Sequence, residues 1–219
     1  MAEMATAKQD ARRSRGRPQL RSDDETRHMI YEAARHQFAE NGFAATSMEM
    51  VARHAGVSTK TLYRLIPAKA VLFENMVSDR IDRFVSSVNL SGCEHRNIET
   101  ALQSALLTCA ELILDPEVVA LYRMMLAEGD TFPEIPETFY RKAMQRTVAA
   151  LADWLRARQK LGLIALDDVD QAAGMLLGMM VFEPQRAALY GHQKLPDRSA
   201  ISERGAACAK LFLRGCRSL

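Results

Sequence analysis

The chain has 219 residues, 48% hydrophobic and 26% charged, enough apolar side chain for a sizeable core and too much for a disordered polymer. No apolar run approaches the roughly 18 residues of a membrane span, and the polar, basic N-terminus lacks the apolar segment of a secretory signal. The formal charge of +2 is uneven: residues 1–70 hold 12 Lys+Arg against 8 Asp+Glu, the remainder 17 against 19, so a polyanion is expected at one end only.

In chain order, residues 1–21 read as a disordered basic arm, and within residues 8–21 Lys8, Arg12, Arg13, Arg15, Arg17 and Arg21 face only Asp10. Arg15-Gly16-Arg17-Pro18 is suited to lie flat in a narrow A·T-rich minor groove, the alternative being a solvated tail. Ser22-Asp23-Asp24-Glu25 is a capping box opening a helix of about twenty residues, with Ile30, Ala33, Ala34 and Phe38 on one face and Asn41-Gly42 as its stop. A second box, Thr46-Ser47-Met48-Glu49, opens a short helix over Thr46–His54. Gly56 breaks it, Ser58 caps a third helix reaching Ile66, and Pro67 is placed in the first turn of a fourth.

Two short helices across a tight turn make a helix-turn-helix candidate, whose second helix enters the major groove while the first crosses the backbone. Its exposed face carries Thr59, Lys60, Tyr63 and Arg64, a set suited to phosphates and base edges. An ordinary helical hairpin with a polar outer face has the same pattern. Longer helices are predicted over 71–88 and near 94–114, 116–128, 136–160, 167–190 and 198–215, with Pro184 kinking the one before last near residue 180. No alternating β-branched run occurs, so the fold class is all-α with about nine helices.

Phe38-Ala-Glu-Asn-Gly-Phe-Ala-Ala-Thr-Ser, Val51-Ala-Arg-His-Ala-Gly-Val-Ser-Thr-Lys-Thr-Leu-Tyr-Arg and Pro67-Ala-Lys-Ala-Val-Leu-Phe, in that order within residues 26–74, resemble the N-terminal domain of TetR-family transcriptional regulators. Ile66, Ala68 and Ala70 depart from the family's usual aromatic, Ser/Asn/Asp and Glu; the last two weaken the expected cap on the fourth helix. The resemblance implies a three-helix DNA-binding domain over residues 22–70 and a helical effector-binding and dimerisation domain over 71–219. It implies a homodimer on double-stranded palindromic operator DNA, most often a repressor, released by a small-molecule effector. Carried onto this sequence, Thr46 and Ser47 offer hydroxyls and helix-N-terminal amides to a phosphate. Thr59 and Lys60 face base edges, with Thr61 beside them; Tyr63 meets backbone or a thymine methyl, Arg64 either, and Lys69 a phosphate.

Residues 71–219 contain no nucleotide-binding, metalloprotease or hydrolase signature, and the five histidines are dispersed, so no enzyme activity, catalytic residue or cofactor is expected. Leu121-Tyr-Arg-Met-Met and Phe132-Pro-Glu-Ile resemble the AcrR- or AefR-like subset. Cys109, Tyr122, Met125, Phe132, Phe139, Trp154, Met175, Met179 and Phe182 form a soft lining kit for an apolar or amphipathic effector, or else are core residues at helical spacing. Glu111, Glu128 and Glu183 pair with a cationic ligand or lie on solvated faces. Gly174-x-x-x-Gly178 and nearby alanines permit close pairing of the last two helices across a dimer. Cys93, Cys109, Cys208 and Cys216 show no metal-site or disulfide spacing, which points to reduced thiols in a cytoplasm and no metal or membrane partner. A thiol-based redox regulator using Cys109, or Cys208 and Cys216, is the competing reading.

Overall fold

The computed structural model describes residues 21–90 and 97–215, and no strand occurs among them. Ten helical segments follow: α1 (Asp23–Ala45), α2 (Met48–His54), α3 (Thr59–Leu65), α4 (Lys69–Leu90), α5 (Ile98–Ile113), α6 (Pro116–Glu128), α7 (Glu134–Phe139), α8 (Gln145–Lys160), α9 (Val169–Leu189) and α10 (Arg198–Gly215). A π-turn over Tyr140–Met144 joins α7 to α8 in one rod, so the described residues make nine rods, as the sequence predicts. The expected arm, with Arg15 and Arg17, lies outside the described residues, as do Cys93 and Cys216.

Local chemistry sets most helix starts. Ser22 Oγ accepts from the Glu25 amide at 3.1 Å while the Glu25 carboxylate accepts from the Ser22 amide at 2.8 Å, completing the capping box. Asp115 caps α6 through the amides of Glu117 and Val118, with Pro116 at the first helical position, where its missing N–H costs nothing. The start of α4 differs from expectation: the Leu72 amide reaches back to the Ala68 carbonyl, so Pro67 precedes the first turn instead of entering it. α9 is one continuous helix through Pro184. That proline leaves the Met180 carbonyl without its helical donor, and Arg204 Nε donates to the neighbouring Met179 carbonyl at 3.1 Å.

Two apolar clusters hold the rods. The first joins Ile30, Phe38 and Phe43 of α1, Val51, Leu62 and Phe73 to Leu121 and Met124 of α6 and Phe139 of α7. The second gathers Leu106, Leu151, Trp154, Leu176 and Cys208 from α5, α8, α9 and α10. α4 contributes to both, Leu72 to Ile81 on one side and Phe84 and Val88 on the other, and so carries the chain across residue 70 without a break.

The join between α1 and α2 departs most from the sequence reading. Gly42 does break the helix, at φ 82° and ψ 173°, yet the chain then takes one more turn to Ala45. That turn is capped from 85 residues away: the Glu128 carboxylate accepts from the amides of Phe43 at 3.2 Å and Ala44 at 2.7 Å. A Cβ at Gly42 would overlap the Glu128 carboxylate, whereas one at Gly56 (φ 67°) would meet nothing. Gly56→Ala is therefore expected to cost about 1 kcal/mol of backbone strain. Gly42→Ala should cost about 2–4 kcal/mol, because the same strain is joined by loss of two charge-assisted hydrogen bonds. Thermal unfolding checks this; equal losses in the two variants would show that Glu128 does not hold the turn.

Candidate nucleic-acid interface and adjoining cavity

Ser47, not Thr46, caps α2, its Oγ accepting from the Met50 amide at 3.2 Å. Thr46 is turned inward and 1% exposed, its hydroxyl donating to the carbonyls of Gln37 and Gly42. It offers no hydroxyl to a phosphate, which corrects the second capping box and leaves Ser47 at that position. After α2 the Gly56 amide returns to the Arg53 carbonyl and the Val57 amide to that of Ala52, a Schellman turn for which Gly56 supplies the positive φ. Ser58 then caps α3, accepting from the Thr61 amide at 3.0 Å, while its hydroxyl pairs with that of Thr61 at 2.8 Å.

The turn points one face of α3 to solvent. Thr59, Lys60 and Tyr63 are exposed together, and Tyr63 donates to Glu49 of α2 at a long 3.5 Å. Arg64 shares that side but is held in a two-pronged pair with Asp23 at 2.8 and 2.9 Å, so contact with DNA requires exchanging that partner. Lys69 is more constrained: its ammonium donates to the carbonyls of Phe43, Ala44 and Thr46 at 2.6, 3.3 and 2.9 Å and lies 4.5 Å from the Phe43 ring centre. Burial pushes the Lys69 pKa down, opposed by the nearby Glu128 carboxylate. Glu128 on its amides and Lys69 on its carbonyls thus grip the chain at residues 43–46 from both sides, and the Phe132 ring packs edge-on against Phe43 at 5.1 Å.

Behind this unit lies a cavity of about 210 Å³ with an almost wholly apolar wall. Of the expected lining set, Tyr122, Phe139 and Phe182 lie in its wall, together with Met76, Met144 and Leu177. Cys109, Met125, Phe132, Trp154, Met175 and Met179 do not. Cys109 and Trp154 are buried in the second apolar cluster, with Met179 packed against it; Met125 and Phe132 pack on the first; Met175 is 59% exposed on α9. Helical spacing identifies a buried face but not the neighbour it meets. Burial pushes the Cys109 thiol up to about 12 and raises that of Cys208, which disfavours the thiolate a redox switch uses.

Two charged side chains in the cavity wall escaped the sequence reading. Arg35 of α1 pairs with Glu32 and with Glu117 of α6, and Arg80 of α4 pairs with Asp115 at 3.1 Å. Burial raises the Glu32 pKa, but hydrogen bonds from Arg35 and Arg83 outweigh it and hold the carboxyl below its usual value. Glu32 and Arg35 are three apart on α1, but no sequence spacing signals Arg35–Glu117 or Arg80–Asp115, whose partners lie on different helices.

Residues 100–215 match the family model for the C-terminal domain of AefR-like transcriptional repressors, and residues 30–76 match that for bacterial regulatory proteins of the tetR family. The chain belongs to the TetR family. Its helix-turn-helix is therefore a DNA-binding unit of a transcriptional regulator, and TetR-family regulators are not enzymes. A TetR-family regulator from Mesorhizobium loti has the same fold, with TM-score 0.77 and 26% identity over 89% of this chain and 98% of that one. The flavonoid-responsive regulator FrrA aligns with TM-score 0.68 and 27% identity over 89% and 98%. FadR from Bacillus subtilis, solved with stearoyl-CoA, shares the fold at 20% identity and TM-score 0.65 over 87% and 99%. No curated protein matches the sequence.

In this TetR-family chain the Lys69 ammonium positions the start of the helix-turn-helix. Lys69→Met is expected to cost about 1.5–3 kcal/mol, the worth of hydrogen bonds from a charged donor, and to lower Tm by roughly 3–10 °C. It should also weaken DNA binding without altering base preference. Unfolding curves paired with binding to a mixed-sequence DNA library check both, and an unchanged Tm would return Lys69 to a purely phosphate-contacting role.

Proposed function

We propose that this protein is a repressor that grips a palindromic operator as a homodimer and is released by a small molecule held in the cavity. Residues 22–70 are the reading unit and residues 71–219 the sensing and pairing unit. The observation that carries the reading is the double attachment of α6. Its Val118, Leu121 and Tyr122 line the cavity, while its Glu128 holds the amides at the entrance to the helix-turn-helix. A ligand that favours a different seat for α6 thereby acts on the spacing of the recognition helices, and only its differential affinity for the two states drives that shift. The flavonoid response of FrrA and the stearoyl-CoA in the Bacillus subtilis FadR structure are in keeping with effector use on this fold.

Ser47, Thr59, Lys60, Thr61 and Tyr63 are the contacts available without rearrangement, with Arg64 and Lys69 joining when their present partners exchange. The pairing face is α9, where Gly174, Met175, Gly178 and Phe182 are exposed on successive turns, continued by Leu211 on α10. No helix among the described residues is long and apolar enough to cross a membrane, and a cytoplasmic location follows from the DNA target.

Selection of bound fragments from a genomic DNA pool, followed by binding at graded salt, tests the reading. A palindromic consensus and steeply salt-dependent affinity are expected, because phosphate contacts release counterions. Lys60→Ala should relax base preference at one position per half-site, costing about 1–3 kcal/mol there. Met175→Glu should leave the fold intact while shifting the dimer toward monomer in sedimentation and lowering operator affinity with it. A monomeric wild-type protein at micromolar concentration, or a selected pool without symmetry, would overturn the proposal.

A further inference from the structure

The polar groups in the cavity wall are almost fully engaged within the protein. Thr147 Oγ1 donates to the Ala143 carbonyl at 2.8 Å. Four buried polar side-chain atoms among the described residues have no hydrogen-bond partner: Gln185 Nε2 and Glu117 Oε2, whose residues lie outside the wall, and Arg35 Nε and Arg80 Nε, whose residues line it. Buried donors left unmatched in an otherwise apolar wall call for an acceptor that a ligand could supply.

Charge decides what kind of acceptor. Glu32, Asp115 and Glu117 already pair with these two guanidinium groups, and Arg83 shares Glu32 at 3.1 Å, so the wall is balanced, three guanidinium groups to three carboxylates. A ligand carboxylate or phosphate would enter an apolar space whose two wall guanidinium groups already have carboxylate partners. A neutral oxygen meets no such opposition. The volume of about 210 Å³ exceeds the roughly 150 Å³ that holds benzene and suits about two rings rather than a long acyl chain. Tyr122, Phe139 and Phe182 offer ring faces and Met76 and Met144 polarisable sulfur, surfaces that favour a flat aromatic body.

We propose that the cavity binds an uncharged ring compound of about two rings whose oxygen acceptor is turned toward Arg35 and Arg80. This rests on the reading of the cavity as the effector site. Three probes of similar size separate the terms in calorimetry with the full chain: coumarin (rings with a neutral carbonyl), coumarin-3-carboxylate (the same rings with a charge) and naphthalene (rings alone). Coumarin is expected to bind at least ~tenfold more tightly than its carboxylate. Arg80→Met should weaken coumarin by ~tenfold, the worth of one hydrogen bond from a charged donor, while leaving naphthalene within about twofold. The Arg80→Met/Asp115→Asn double variant repeats the comparison without an unpaired carboxylate. Val181→Phe, with Ala143→Leu as a second filling variant, should abolish binding of both neutral probes.

If the carboxylate binds as tightly as coumarin, or Arg80→Met weakens both neutral probes alike, the proposal is wrong while the cavity remains the binding site. Neutral probes that fail to bind, or that bind regardless of both filling variants, would overturn the cavity as the effector site and this proposal with it. Operator binding by the same preparations is a separate readout, so that the DNA-binding function is judged independently.

Discussion

The amides of Phe43 and Ala44 begin a helical turn directly after Gly42 and have no carbonyl behind them; the carboxylate of Glu128 takes both. Helix starts leave such donors orphaned, and a carboxylate is the strongest ordinary acceptor for them. Here the acceptor belongs to the last residue of α6, so the entrance to the helix-turn-helix is finished only when α6 is seated. At the other end of α6, Asp115 and Glu117 hold Arg80 of α4 and Arg35 of α1. Midway, Arg123 donates to the carbonyls of Ala188 and Leu189 at the end of α9. One helix of 13 residues is thus tied to the reading helices at both ends and to the expected pairing helix in between.

Because α6 is tied by charge and lined on its inner face by apolar contacts, the two kinds of force divide the work. Apolar burial holds the rods together without fixing their axial position, since it has no direction. The ion pairs and the amide–carboxylate bonds have direction, and they fix register. Half-buried pairs add little net stability, because desolvation offsets the attraction. Breaking one partner, by contrast, leaves a charge or a donor exposed to an apolar wall. Under the proposed function, a ligand at this wall would act on α6 only through a difference in that local cost between two positions of the helix.

The sequence made the local features legible and left the distant ones hidden. The caps at Ser22 and Ser58 and the turn at Gly56 depend on residues within four positions, and the structure holds each of them. The exposed trio Thr59, Lys60 and Tyr63 follows from helical phase, opposite the fully buried Leu62. Thr46 misled because its hydroxyl has two possible employers: a helix start ahead of it, or the carbonyls of Gln37 and Gly42 folded back beneath it. The second wins because the Gly42 break brings those carbonyls within reach. In the body, Trp154 and Phe139 carry the same kind of apolar signal yet pack in different clusters, since a stripe on a helix does not name its neighbour. Arg35 and Arg80 carry no signal in the sequence, and Glu128 reads as a solvated charge or a partner for a cationic ligand, because the partners on other helices lie 35 to 85 residues away.

The π-turn between α7 and α8 has a consequence for the shape of the cavity. A π-turn is a helix carrying one residue more than its hydrogen-bond register needs. That surplus changes the phase of everything after it by about a quarter-turn or more, since each residue of an α-helix advances the face by roughly 100°. It lets a single rod present Phe139 and Ala143 to the first apolar cluster and Leu151 and Leu155 to the second. The surplus residue is also slack. It sits where Ala143 and Met144 form cavity wall, and sliding it by one position exchanges which side chain faces inward while the rod stays helical throughout. The outline of the wall therefore depends on where the surplus residue sits in the backbone as well as on which side chains line it.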